Sequence, residues 1–114
     1  MTHAYAFSHA RSRYVQSDDR LRSLATTLDY MHMAPTAPDT LGCYPFEGKD
    51  PFVIDECPHV YFAGNQPRYE TTMVTGPQGQ RVRTILVPDF GIEHTCVLVS
   101  LDTLQCRPIT FAGF

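Results

Sequence analysis

Three short apolar runs constrain this chain most. They are Val60-Tyr61-Phe62, Val82 to Val87 and Val97-Leu98-Val99. Each is rich in β-branched and aromatic residues, and proline or glycine punctuation follows within a few positions. Such runs are too short for helices and read as strands. The first and third read as buried on both faces, so the sheet they build needs cover on two sides. A chain of 114 residues suits one small domain or a piece of a larger one. It has enough material to cover one face of such a sheet and little left for the other.

The first run lies inside Pro58-His59-Val60-Tyr61-Phe62-Ala63-Gly64-Asn65-Gln66-Pro67. The sequence predicts a strand over His59 to Ala63 that ends at Gly64, with Asn65-Gln66-Pro67 turning the chain away. Downstream, Thr71 to Thr75 and Val82 to Val87 form a hairpin through the turn Gly76-Pro77-Gln78-Gly79. Pro88-Asp89-Phe90-Gly91 breaks the second strand. Thr95 to Leu101 is a further strand, Asp102-Thr103-Leu104 a turn, and Gln105 to Phe111 the return. Pro108 puts that last strand at an edge.

Upstream, Ser17 reads as an N-cap and Asp18 and Asp19 favour the helix dipole. Leu21, Leu24 and Leu28, joined by Ala25 and Met31, form one apolar face. They predict a helix from about Asp18 to His32, with Pro35 barring its continuation. Residues 34–51 carry four prolines and two glycines, which exclude a regular element. Leu41, Cys43, Tyr44 and Phe46 are too apolar for a linker, so an ordered loop that lays aromatics on another surface is expected. Phe52-Val53-Ile54 is a short extended piece that docks before Pro58. Residues 1–16 show no periodicity and are expected to be poorly ordered. The fold class is α+β: one N-terminal helix, a long ordered loop, then about five mostly antiparallel strands.

Composition excludes some functions. A formal net charge of -3 without a basic run argues against primary nucleic-acid binding. Arg11, Arg13, Arg20 and Arg22 are interleaved with Asp18 and Asp19 and read as a solvated helix face. There is no apolar run of about 18 residues, hence no expected membrane span, and no secretory signal. Cys43, Cys57, Cys96 and Cys106 contain no C-x-x-C pair, so neither a zinc ribbon nor a redox motif is suggested. Reduced thiols are expected, with Cys57, Cys96 and Cys106 filling core. No two of His3, His9, His32, His59 and His94 have metal-ligand spacing. A cluster of His32, His59 and Asp39 is the remaining metal possibility, but Asp39 reads better as a turn residue. Cys43 has no cation or helix start beside it to lower its pKa, so a Cys43–His59 nucleophile pair is not favoured.

Two blocks are distinctive together. One is Pro35-Thr36-Ala37-Pro38-Asp39-Thr40-Leu41-Gly42-Cys43-Tyr44-Pro45-Phe46. The other is Asp50-Pro51-Phe52-Val53 followed by Pro58 to Pro67. They closely resemble the C-terminal part of the small (B) subunits of eukaryotic DNA polymerase delta. Val87-Pro88-Asp89-Phe90 and Leu98 to Leu104 fit the same family, and the match extends over about residues 20–114. Members have an OB fold followed by a calcineurin-like phosphoesterase domain. The resemblance implies that residues 17–114 are the last part of that phosphoesterase domain. It also explains why one sheet face lacks cover.

Active metallophosphoesterases end a late strand in Gly-His-x-His, whose histidines bind metal. The matching position here is Gly64-Asn65-Gln66-Pro67, where Asn65 and Pro67 replace the two histidines. Proline has no donor atom, and an amide oxygen is a weak ligand for metals that imidazole holds well. The resemblance thus implies an inactive scaffold with no metal, no cofactor and no enzyme activity. Its implied partners are the C-terminal metal-binding domain of the polymerase delta catalytic subunit and a third subunit. Its implied place is the nucleus, in DNA replication, with DNA contacted only indirectly. Tyr44, Phe46, Phe52 and Tyr69 are the candidate partner contacts, since interfaces favour Tyr and Phe. Burial of Phe46 and Phe52 in the core is the competing expectation. The alternatives are a truncated, non-functional fragment and a residual metal-dependent phosphoesterase with its metal at Asn65.

Overall fold

The structure, a computed structural model, describes residues 4–7, 19–39 and 42–113. Six strands and two helices follow one another as β1 (Ala4–Phe7), α1 (Arg20–Asp29), β2 (Val60–Gln66), β3 (Glu70–Thr75), β4 (Arg81–Pro88), α2 (Phe90–Glu93), β5 (Thr95–Val99) and β6 (Cys106–Thr110). β1 falls inside the segment 1–16; the rest of that segment, with His3, His9, Arg11 and Arg13, lies outside the described residues.

α1 is shorter than its apolar pattern predicts. Asp19 caps it, its carboxylate accepting from the Arg22 amide at 2.9 Å; Ser17 and Asp18 lie outside the described residues. The helix ends well before Pro35. Met31 adopts φ 50°, its amide donates to the Leu28 carbonyl at 2.9 Å, and the His32 amide reaches back to Thr27 at 3.1 Å. This is a Schellman-type stop with methionine where glycine is usual. Leu24 and Leu28 are buried, and Leu21 and Met31 pack beside them.

β1, β2, β4 and β3 form one sheet in that order, while β5 and β6 form a second, two-stranded sheet. The expectation of mostly antiparallel strands fails in the larger sheet. β1 pairs with β2 in parallel, β2 pairs with β4 in parallel, and only the β3–β4 hairpin is antiparallel. The reason lies in β4. Its run Arg81–Pro88 is the most apolar of the strands, with Val82, Thr84, Ile85, Leu86 and Pro88 buried. It therefore takes the central place between β2 and its own hairpin partner, where both faces are covered.

Alternation along β2 and β4 sends side chains to two clusters. Tyr61, Ala63, Val82 and Leu86 meet Leu24, Leu28 and Ile54 on one face. Val60 and Ile85 meet Leu104 on the other, with Phe62, Tyr69, Val87, Val97 and Val99 packed around them. The cover expected to be missing on this second face is supplied by the β5–β6 hairpin. It also corrects the reading of Val97-Leu98-Val99 as doubly buried, since Leu98 is 51% exposed. Cys57, Cys96 and Cys106, expected as core, are only half-buried; all four cysteines are free. Among the described residues no helix is long and apolar enough to cross a membrane.

Candidate functional site

Two places carry the expectations drawn from sequence, and the structure separates them. The first is the end of β2. The strand does not stop at Gly64 but runs on to Gln66. Ala63 faces Leu86 and Gln66 faces Pro88, so three steps along β2 match two along β4. This one-residue bulge is absorbed by Asn65 at φ 55°, a conformation asparagine tolerates better than most residues. Gln66 then locks the bulge. Its buried side chain donates to the Gly64 carbonyl at 2.9 Å and accepts from Arg20 Nη1 at 3.2 Å, while its own carbonyl accepts from the Asp89 amide at 3.1 Å.

Nothing in this arrangement gathers metal ligands. Asn65 and Pro67 are exposed. His59 precedes the first residue of β2 and Asn65 stands near its end, about 20 Å apart at the usual strand rise. His32 is engaged elsewhere, and Asp39 lies in a turn. Among the described residues no three His, Cys, Asp or Glu side chains come together. The residues present do not fit a two-metal centre, and Gln66 serves the fold.

The second place is the loop between α1 and β2. It is pinned where it returns to the helix. The Met33 amide donates to the Phe52 carbonyl at 2.9 Å and the Ile54 amide to the Met31 carbonyl at 2.8 Å, forming a bridge between His32 and Val53. Ile54 is buried, so the expectation that Phe52-Val53-Ile54 docks is borne out. Asp50 ties the bridge from outside. One carboxylate oxygen accepts from His32 Nε2 at 2.8 Å and the other from the Phe52 amide at 2.9 Å. The Ala34 amide donates to His32 Nδ1, which fixes the ring with its proton on Nε2. These two bonds, the His32 one first, hold the Asp50 carboxyl below its ordinary pKa.

On this anchor stand three aromatic rings. Tyr44 and Phe46 meet edge to face with centroids 5.1 Å apart, and Phe46 meets Phe52 the same way at 6.4 Å. Tyr44 is 72% exposed and Phe46 52%, so the expectation that Phe46 is core does not hold. Phe52 is half-buried and sits at the base of the ladder. The rings and Pro38, Pro45 and Pro51 line an open groove of about 470 Å³. Leu41 lies outside the described residues. Tyr69 is not part of this surface; it packs with the Val60, Ile85 and Leu104 cluster.

Sequence reading missed a third feature. Between the second face of the large sheet and β5 runs an apolar groove of about 450 Å³, lined by Phe62, Val87, Phe90, Val97, Val99 and Leu101 among others. Phe90 and Phe111 stand partly exposed with ring centroids 6.2 Å apart. The signal for it in the sequence was Phe90 directly after the strand-breaking Pro88-Asp89, where α2 begins with Asp89 as its cap.

Comparison with known proteins gives these places a family context. Residues 3–72 match the family model of the DNA polymerase alpha/epsilon B subunit. That match starts well before residue 20, the limit expected from the motifs. The DNA polymerase delta small subunit of Oryza sativa subsp. japonica is 44% identical over 100 residues, 88% of this chain and 23% of that protein. DNA polymerase delta subunit 2 of Drosophila melanogaster is 46% identical over the same shares. The small subunit of Saccharomyces cerevisiae is 42% identical over 81% of this chain and 19% of its own length. The chain thus spans about a quarter of the length of the relatives it matches, and over that quarter it belongs to the family of DNA polymerase delta small subunits.

Proposed function

We propose that this chain acts as a non-catalytic scaffold piece of the DNA polymerase delta complex, in replication and in the nucleus. In this reading its fold is the last part of a calcineurin-like phosphoesterase domain whose metal site has been lost. The loop that carries Tyr44 and Phe46 holds the C-terminal metal-binding domain of the catalytic subunit. A third subunit binds elsewhere on the small subunit, and DNA is reached only through the partners.

The observation that carries the reading is the aromatic ladder. Two large rings stand mostly exposed on a loop that is nonetheless fixed to the core through Phe52, Ile54 and Asp50. Holding apolar rings in water on a rigid base is unfavourable for the free chain and favourable for a binder. Aromatic anchors that are already ordered lose little freedom on association. Family membership directs the choice of partner. The chain's charge does not favour a nucleic-acid surface.

The test is co-purification. The 114-residue chain is mixed with the isolated C-terminal domain of the catalytic subunit from the same organism. A stable complex that is lost on Tyr44→Ala with Phe46→Ala supports the reading. A folded chain that fails to bind, or a complex indifferent to both substitutions, overturns it.

A further inference from the structure

The chain's negative charge is concentrated around the aromatic loop. Residues 35–58 hold five acids, Asp39, Glu47, Asp50, Asp55 and Glu56, against one base, Lys49, a net of -4. The whole chain carries -3, so the remaining residues sum to +1. All five carboxylates are exposed. Lys49 is neutralised locally by Asp55 at 2.9 Å. Glu47 follows Phe46 directly, and Asp50 stands two residues before Phe52. The surface therefore presents the electron-rich faces of Tyr44 and Phe46 beside carboxylates, in a groove whose walls are stiffened by Pro38, Pro45 and Pro51.

One side chain complements both features at once. A guanidinium is planar and weakly hydrated, stacks on aromatic faces, and pairs with carboxylates through a fork of N–H donors. An ammonium offers the charge without the plane. An acidic peptide is repelled, and a purely apolar one leaves the carboxylates beside desolvated surface. Resting on the reading of this loop as the partner-binding surface, we propose that it receives an extended protein segment bearing arginine, with a guanidinium stacked on Tyr44 or Phe46 and paired to Glu47 or Asp50.

The probe is a fluorescein-labelled peptide of repeated Gly-Arg-Pro, with matched Gly-Lys-Pro and Gly-Glu-Pro peptides, titrated against the 114-residue chain by anisotropy. The arginine peptide binds, the lysine peptide binds severalfold more weakly, and the acidic peptide does not bind. Tyr44→Ala weakens the arginine peptide by about three- to tenfold, the loss expected for one exposed cation–π contact. Glu47→Gln weakens it too and flattens its salt dependence, since one charge pair is gone. Both positions are exposed, so an unchanged melting curve shows that the fold is intact. Equal binding of arginine and lysine peptides, or indifference to Tyr44→Ala, overturns the proposal, as does absence of binding. The catalytic-subunit domain is tested in parallel. If it binds through Tyr44 and Phe46 while the arginine peptide does not, arginine recognition is wrong and the scaffold reading stands. If only the peptide binds, the surface is as proposed and its partner lies elsewhere.

Discussion

Asp50 shows how single residues set this surface. Its carboxylate is the outer tie of the aromatic loop, bonded to His32 and to the Phe52 amide. Because its folded pKa lies below the ordinary value of 3.8, the tie contributes fully above that value and is lost as pH falls through the folded one. Acidification through this range should move the Phe52 amide resonance, and Asp50→Asn should abolish the transition; a Phe52 amide that titrates identically in the variant would contradict the assignment. Tyr61 works in the core. Thr27 Oγ1 donates to the Leu24 carbonyl at 2.8 Å, so the Tyr61 hydroxyl is the donor in its 3.0 Å bond to Thr27. Tyr61→Phe should lower unfolding free energy in urea by about 1 kcal/mol, the net worth of one such bond. Burial, opposed by the Thr27 bond, raises the Tyr61 pKa above 10.0, so stability should also fall as pH rises past that value. None of these partners could be read from sequence. Tyr61 and Thr27 are 34 positions apart and His32 and Asp50 are 18 apart, and only the fold brings them together.

At the scale of elements, legibility followed pattern strength. The hairpin turn at Gly76 to Gly79 and the strands around it were legible because turn chemistry and apolar alternation agree there. The end of β2 was misread because Asn65-Gln66-Pro67 has turn composition, whereas the residues form a bulge inside a continuing ladder. A bulge is decided by the neighbouring strand's register, which local composition does not carry. The left-handed Asn65 provides a direct check. Asn65→Val should destabilise the chain by about 1–2 kcal/mol, the strain of a branched residue in that conformation, whereas Asn65→Gly should be tolerated; thermal melts of both variants measure the difference. The helix boundaries erred for a similar reason. Apolar spacing continues to Met31, but the backbone stops at Asp29 through a left-handed methionine. Asp19 does cap the helix, and Asp19→Ala should remove about 1 kcal/mol of stability in the same melts.

At the scale of the molecule, the apolar runs made plain that a two-faced sheet needed cover, but not what supplies it. α1 with Ile54 covers one face and the β5–β6 hairpin the other, leaving an apolar groove along the hairpin. The parallel pairing of β2 and β4 was hidden because hairpin signals speak only for sequential neighbours, and β4 inserts between β2 and β3. The candidate surface was half legible. Aromatic residues in a proline-rich loop pointed to Tyr44, Phe46 and Phe52, which the structure brings together, while Tyr69 was drawn in by residue type alone and packs in the core. The central claim is that the anchored aromatic loop is where the polymerase catalytic subunit is held. Hydrogen exchange of the 114-residue chain, with and without the catalytic subunit's C-terminal domain, tests it most directly. The account predicts slowed exchange over residues 42–54 in the complex; protection confined to residues 95–111, with the loop unchanged, would contradict it.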